Sequence, residues 1–167
     1  MGFAFDQEFG DDSNPLDVVE QIVSANEWVY DRTADTELAV TFSGTWCDYH
    51  LHFSWSALPG ALQVVNAFDT RIPEARLTDL FTLLGLINPQ MWLGHFDLMT
   101  AERFVMFRYV MLTDGAEAVA PERCESLIEV AVQECERFYP AFQFVLWGGH
   151  SPEAALQAAM IETVGEA

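Results

Sequence analysis

The chain has 167 residues, of which 51% are hydrophobic, and it sets 26 Asp and Glu against 7 basic residues, for a formal charge of -19. That length and apolar content suit one domain with one sizeable core. The charge excludes nucleic acid and anionic lipid as electrostatically driven partners, because binding either one requires cations to meet phosphates, whereas a basic protein or peptide is attracted by such a field.

Residues 1–12 are acidic, with scattered Phe, and are expected to form a flexible arm ahead of a single domain over 13–167. No basic n-region marks a signal peptide, and no apolar run approaches the ~20 residues that span a bilayer, so a cytoplasmic protein without a membrane partner is expected. Cys47, Cys124 and Cys135 lack any CxxC spacing, in keeping with a reducing compartment.

In chain order, Ser13, Asn14 and Pro15 start a helix whose Leu16, Val19, Ile22 and Val23 recur at helical spacing. "ELAVTFSGTW" alternates as a half-buried strand. "WCDYHLHFSWS" alternates again after a tight turn near Thr45 to Asp48, and "ALQVVNAFD" follows the Pro59-Gly60 turn signal, completing a three-stranded meander. Leu77, Leu80, Phe81, Leu84 and Ile87, widened by Leu83 and Leu86, predict a helix buried on two sides. "GHFDLM" and "RFVMFRYVML" read as two further strands. From Pro121, the stripe Cys124, Leu127, Ile128, Ala131, Cys135 and Phe138 predicts a helix with a solvated acidic face. Pro140 is expected to kink or break it, and Gly148 with Gly149 to end the piece before a last helix from Pro152. The fold class that results is α+β, α-βββ-α-ββ-α-α, with an antiparallel sheet of about five strands and helices packed on it.

Candidate chemistry is sparse. His50 and His52, beside Asp48 on one strand face, could hold a metal if His95 and Asp97 converged on them, but a polar sheet face explains them as well. Cys47 has no electropositive neighbour to activate its thiol. Arg108, inside an apolar strand, must meet a carboxylate or water, so a structural ion pair is expected. No phosphate loop, dinucleotide fingerprint or nucleophile elbow occurs. Accordingly no catalytic residue, metal site or cofactor is assigned.

"NPLDVVEQI", "GTWCDYHLHF", "WLGHFDL", "FRYVML" and above all "ECERFYPAFQFVLWGGHSPEAAL" resemble the bacterial YbjN family of sensory transduction regulators, in order from about Asn14 to about Thr163. The resemblance implies an α+β fold like that of the type III secretion chaperones, which are small, acidic, usually dimeric cytoplasmic proteins, and it implies no activity.

The leading reading is a non-enzymatic protein-binding module, chaperone-like or a regulatory adaptor. Its expected partners are a second copy in a homodimer or a client with a basic amphipathic segment. The alternative is a small-ligand-binding or metal-assisted enzyme using His50, His52 and Asp48. Five aromatic rings crowd into "FYPAFQFVLWGG", and two sides of that short segment need apolar cover. Phe138 is expected in the core, and Phe142, Phe144 and Trp147, with Trp92, are the expected partner-binding residues.

Overall fold

The computed structural model describes residues 14–113 and 119–164, so the expected arm over residues 1–12 lies outside the described residues. The elements are α1 (Pro15–Ala25), β1 (Val29–Ala34), β2 (Glu37–Ser43), β3 (Asp48–Ser56), β4 (Ala61–Ala67), α2 (Leu77–Ile87), β5 (His95–Met99), β6 (Phe104–Leu112), α3 (Pro121–Leu146) and α4 (Pro152–Val164). The strands form one open sheet in the order β1-β2-β3-β4-β6-β5, with every neighbouring pair antiparallel. The class is α+β, as the patterning predicts, with six strands rather than about five. The extra strand is β1, whose residues are exposed save for a half-buried Arg32, so it has no apolar alternation to read. It is a strand because its backbone pairs with β2, Tyr30 opposite Val40.

Local signals place the helices. The Asn14 side chain caps α1 by accepting the Leu16 N–H at 3.0 Å, and its Nδ2 donates to the Asp35 carbonyl, tying the helix start to the β1–β2 turn. Strand alternation then sorts the sheet into two faces. Leu38 and Val40 on β2, Tyr49, Leu51 and Phe53 on β3, Leu62 and Val64 on β4, Phe107 on β6 and Phe96 and Leu98 on β5 are buried. On this face α1 packs over β1 to β3, α3 over β4 and β6, and α2 over β5, while α4 packs on α3 and α2. The opposite face carries His50, His52, Gln63, Arg108 and His95, all exposed or half-exposed. Within α2, Leu80, Leu83, Leu84 and Ile87 are buried, but Phe81 is 52% exposed and leaves the predicted stripe.

The crowded aromatic stretch is explained by α3. Rings from the sheet, Phe42, Tyr49, Phe96 and Phe107, and Phe68 just past β4 interlock with Phe138, Tyr139 and Phe142 at centroid separations between 5.2 and 6.4 Å. Offset and edge-on pairs of this kind add to the stabilisation from burial alone. Phe138 is fully buried, as expected. Phe142 is 1% exposed, wedged against Phe68 and Phe96, and so belongs to the core and presents no surface to a partner.

Pro140 does not break the helix, which runs on to Leu146. A proline in a helix lacks the N–H that would bond the carbonyl four residues back, here that of Glu136. Trp46, in the β2–β3 turn, supplies the missing donor, its Nε1 reaching the Glu136 carbonyl at 3.0 Å. The Glu136 carboxylate accepts the Thr45 N–H at 2.8 Å from the same turn. Gly44 is the residue that lets this approach happen, because a Cβ there would collide with the Glu136 carboxylate and the Tyr49 ring.

Two outcomes follow from this packing. Trp46→Phe should cost about 0.5–1.5 kcal/mol in chemical denaturation by removing the indole's bond to the Glu136 carbonyl, and less in a Pro140→Ala background, where a restored amide N–H competes for that carbonyl. Equal costs in both backgrounds would mean that the indole acts only by packing. Phe142→Ala should lose about 3–5 kcal/mol of stability, as a truncated core aromatic does, at every protein concentration; a loss that disappears on dilution would return Phe142 to an interface.

Candidate functional site

Three surfaces hold side chains that the core does not use. The first is the loop between α2 and β5, where Trp92 is 98% and Leu93 46% exposed. A loop bearing two exposed apolar residues invites collapse, yet this one is pinned at both ends. The Asn88 side chain accepts the Phe96 N–H at 2.8 Å and donates to the Phe96 carbonyl at 3.0 Å, closing the loop like a one-residue strand pair. Gly94 follows with φ +69° against the Phe107 ring, a left-handed turn at a spot where a Cβ would not fit. The result is an exposed tryptophan on a loop whose two ends are bonded to each other.

The second surface surrounds the end of α3. Trp46, Tyr139, Pro140, Gln143 and Phe144 line a shallow groove of about 320 Å³. Phe144 is half-buried with its ring 5.2 Å from that of His150, and Trp147, which ends the helix, is 63% exposed. The predicted partner-binding residues thus do not form one patch. Arg76, just before α2, donates to the Val145 carbonyl at 2.6 Å, which puts Trp147 near the N-terminal end of α2. Trp92 lies past its other end, about 16 Å along an 11-residue helix. Trp46 was missed from the sequence. Its strand alternation marked it as another apolar residue, whereas its role depends on an α3 carbonyl 90 positions away.

The third surface is the open sheet face. His50 Nδ1 lies 3.2 Å from Thr41 Oγ1, His52 Nε2 lies 3.7 Å from Glu37 Oε2, and Asp48 accepts the Ser43 hydroxyl at 2.7 Å. Each is engaged by its neighbour on β2. His95 stands opposite Arg108, Arg108 opposite Val65, and Val65 opposite His52. Three strand spacings of about 4.8 Å therefore separate His95 from His52. The proposed four-residue convergence does not occur, and among the described residues no group of three or more His, Cys, Asp or Glu is placed to hold a metal. Nor does Arg108 form the expected ion pair among the described residues. Its Nη2 rests on Met106 Sδ at 3.9 Å and its Nε is buried without a hydrogen-bond partner. Its own strand supplies only Met106 and Val110 on that face, and the β5 residue opposite is a histidine, so no carboxylate faces it directly.

Nucleophilic chemistry has no support at Cys47. The thiol is half-buried next to Tyr139 and Tyr49, and its pKa is raised above that of a free thiol, mainly by burial and further by Glu136 and Asp48. Burial chiefly, helped by Glu125 and opposed by Arg123, pushes Cys124 up to about 11. The more acidic a thiol, the more reactive thiolate it holds at neutral pH, so both shifts disfavour catalysis. Alkylation of Cys47 by iodoacetamide, followed by mass spectrometry, should therefore be slower than that of glutathione at pH 8 and still accelerate above pH ~9, beyond the ~8.5 of a free thiol. A rate that levels off below pH 8 would show an activated thiol instead.

The comparisons with known proteins bear on this arrangement. No curated protein matches the chain. Among solved structures, the crystal structure of YbjN from E. coli is similar over 72% of this chain and 90% of that one, at 12% identity and a TM-score of 0.44. The YbjN family model, described as "Putative bacterial sensory transduction regulator", matches residues 15–144. That span takes in α1, all six strands, α2 and the aromatic part of α3, and it includes Trp92 but stops short of Trp147 and α4. Matched over well more than half its length, the chain belongs to the YbjN family.

Proposed function

We propose that this chain is a cytoplasmic regulatory adaptor without catalysis of its own, which acts by binding another protein. The observation that carries the reading is Trp92, 98% exposed beside Leu93 on a loop clamped by Asn88. Tryptophan is enriched among residues that dominate binding energy, and the bonds that close the loop's ends limit the backbone freedom that docking has to remove. Membership of a family described as sensory transduction regulators agrees with a role executed through partners. Hydroxyls do stand beside histidines there, Thr41 beside His50 at 3.2 Å and Ser54 beside His52 at 3.4 Å, but both pairs lie on the open sheet surface, and burial disfavours the Cys47 thiolate.

The partner is a protein rather than nucleic acid, because a chain of formal charge -19 repels a phosphate backbone. Affinity capture from cytoplasmic extract, comparing the wild-type chain with a Trp92→Ala/Leu93→Ala variant, tests the reading. The variant should keep its stability to within about 0.5 kcal/mol, as exposed substitutions do, and should lose a reproducibly captured protein, in line with the ~2 kcal/mol or more that an anchor contributes. Identical captures by both forms would overturn it. Analytical ultracentrifugation of both forms separates a foreign partner from a second copy of this chain.

A further inference from the structure

An open sheet ends in two edge strands whose outward N–H and C=O groups need cover. On β5 the chain supplies that cover itself. Asn88 bonds both the N–H and the carbonyl of Phe96, at 2.8 and 3.0 Å, and Asp97 Oδ1 accepts the Leu98 N–H at 2.8 Å. Phe96 and Leu98, two residues apart, turn their backbone groups to the same side, so that edge is occupied from within. At β1 only the far end is treated in this way. Arg32 folds back through Nε onto the Ala34 carbonyl and through Nη2 onto the Asp35 carbonyl, both at 2.9 Å, where the register breaks between Asp31 and Ala34. Over Val29–Asp31 the pairing with β2 is regular, and among the described residues no group caps its outward side. Val29 is 74% and Tyr30 37% exposed there.

The surroundings say what could lie along it. Residues 15–37 hold six carboxylates, Asp17, Glu20, Glu27, Asp31, Asp35 and Glu37, against the single Arg32. Arg32 pairs with Asp17 at 3.2 Å and Glu20 at 3.1 Å and so cancels one charge of the six. Tyr30, which shares the helix-covered face with Val40 opposite it, joins Asp17, Glu20, Gln21, Ser24 and Ala25 in lining a trough of about 590 Å³ beside α1.

We propose that Val29–Asp31 is a docking edge for an extended basic segment of a partner protein, which adds a short seventh strand beside β1. Main-chain bonds supply the pairing, and alternate side chains of the segment fall over the α1 trough, where Asp17 and Glu20 outnumber Arg32 by one charge. Glu27 and Asp31, which form no ion pair among the described residues, add to the field that draws in Lys or Arg. A second copy of this chain is the wrong occupant, since β1 against β1 would face one set of six carboxylates with another. The inference rests on the adaptor reading above and adds the site and the chemistry of the partner.

The test uses the full chain and a fluorescein-labelled synthetic octapeptide of alternating Lys and Val, followed by fluorescence anisotropy. Two further peptides are N-methylated on alternate amides, each along one edge of the extended chain. One methylated isomer should bind as the parent does. The other should bind roughly tenfold more weakly or worse, since it loses its backbone bonds to the protein. The Glu/Val counterpart should not bind, and Glu27→Gln/Asp31→Asn, which leaves the Arg32 pairs intact, should weaken the parent peptide severalfold. In amide exchange, protection gained on peptide binding should be confined to Val29–Asp31. Equal binding of both methylated isomers would reduce the contact to charge attraction and overturn the proposal. So would absent binding, or self-association of the free chain that protects the same amides. If the peptide fails while the Trp92→Ala/Leu93→Ala variant still loses its partner, the edge inference falls and the adaptor reading stands.

Discussion

Everything in the helix layer depends on how the chain deals with one carbonyl. Pro140 removes the donor that the Glu136 carbonyl needs, in the middle of a 26-residue helix that covers the central strands. A proline there costs the helix one bond and crowds that carbonyl, and the ordinary outcomes are a kink or a stop. Here the β2–β3 turn reaches across with the Trp46 indole for the carbonyl and the Thr45 amide for the carboxylate of the same residue. One residue of α3 thereby receives two bonds from one turn of the sheet. The helix continues for another turn and a half, and that extension is the part that carries Phe142 and Val145 into the core.

The tether also sets the aromatic cluster. Tyr49 follows the turn on β3 and meets Tyr139, which meets Phe68, which meets Phe142 and Phe96. Fixing the turn against α3 fixes the first of these contacts, and each ring positions the next. Asn66, fully buried on β4, adds a polar contact to the same helix by donating to Cys135 Sγ at 3.1 Å. Such a layer consumes most of the apolar content of α3 within the chain.

What stays outside is distributed unevenly. One face of the sheet is covered by helices, and one of its two edges is closed by its own side chains. The acidic field is spread over both layers, and it acts at range on any approaching segment, whereas hydrogen-bonding capacity is confined to the edges. Trp92 and the β1 edge lie at opposite ends of the strand order, since Trp92 precedes β5 directly and β1 begins the sheet. Two exposed features of different character are therefore kept apart, an apolar side chain and an uncapped backbone edge.

The fold class was legible in the residues because alternation and helical spacing are local consequences of which side of an element is buried. β2, β3, α1, α2 and the first turns of α3 could be read in that way, as could Phe138 as a core residue, while turn and start signals marked β4 and α4. β1 could not, because an edge strand with exposed side chains leaves no periodic trace and exists only through its pairing with β2. Phe142 was misplaced for a related reason. Its neighbours Phe68 and Phe96 come from loop and strand far away in sequence, and Pro140 suggested a break that Trp46 prevents. Likewise the spacing of His50, His52 and His95 was visible, but the order β3-β4-β6-β5 decided that they stand apart. Composition and periodicity settled the class, the charge and most of the core, since those depend on burial alone. Tertiary structure decided which backbone groups went without a partner and which loops were tied at their ends, because both depend on contacts between residues that the chain order does not bring together.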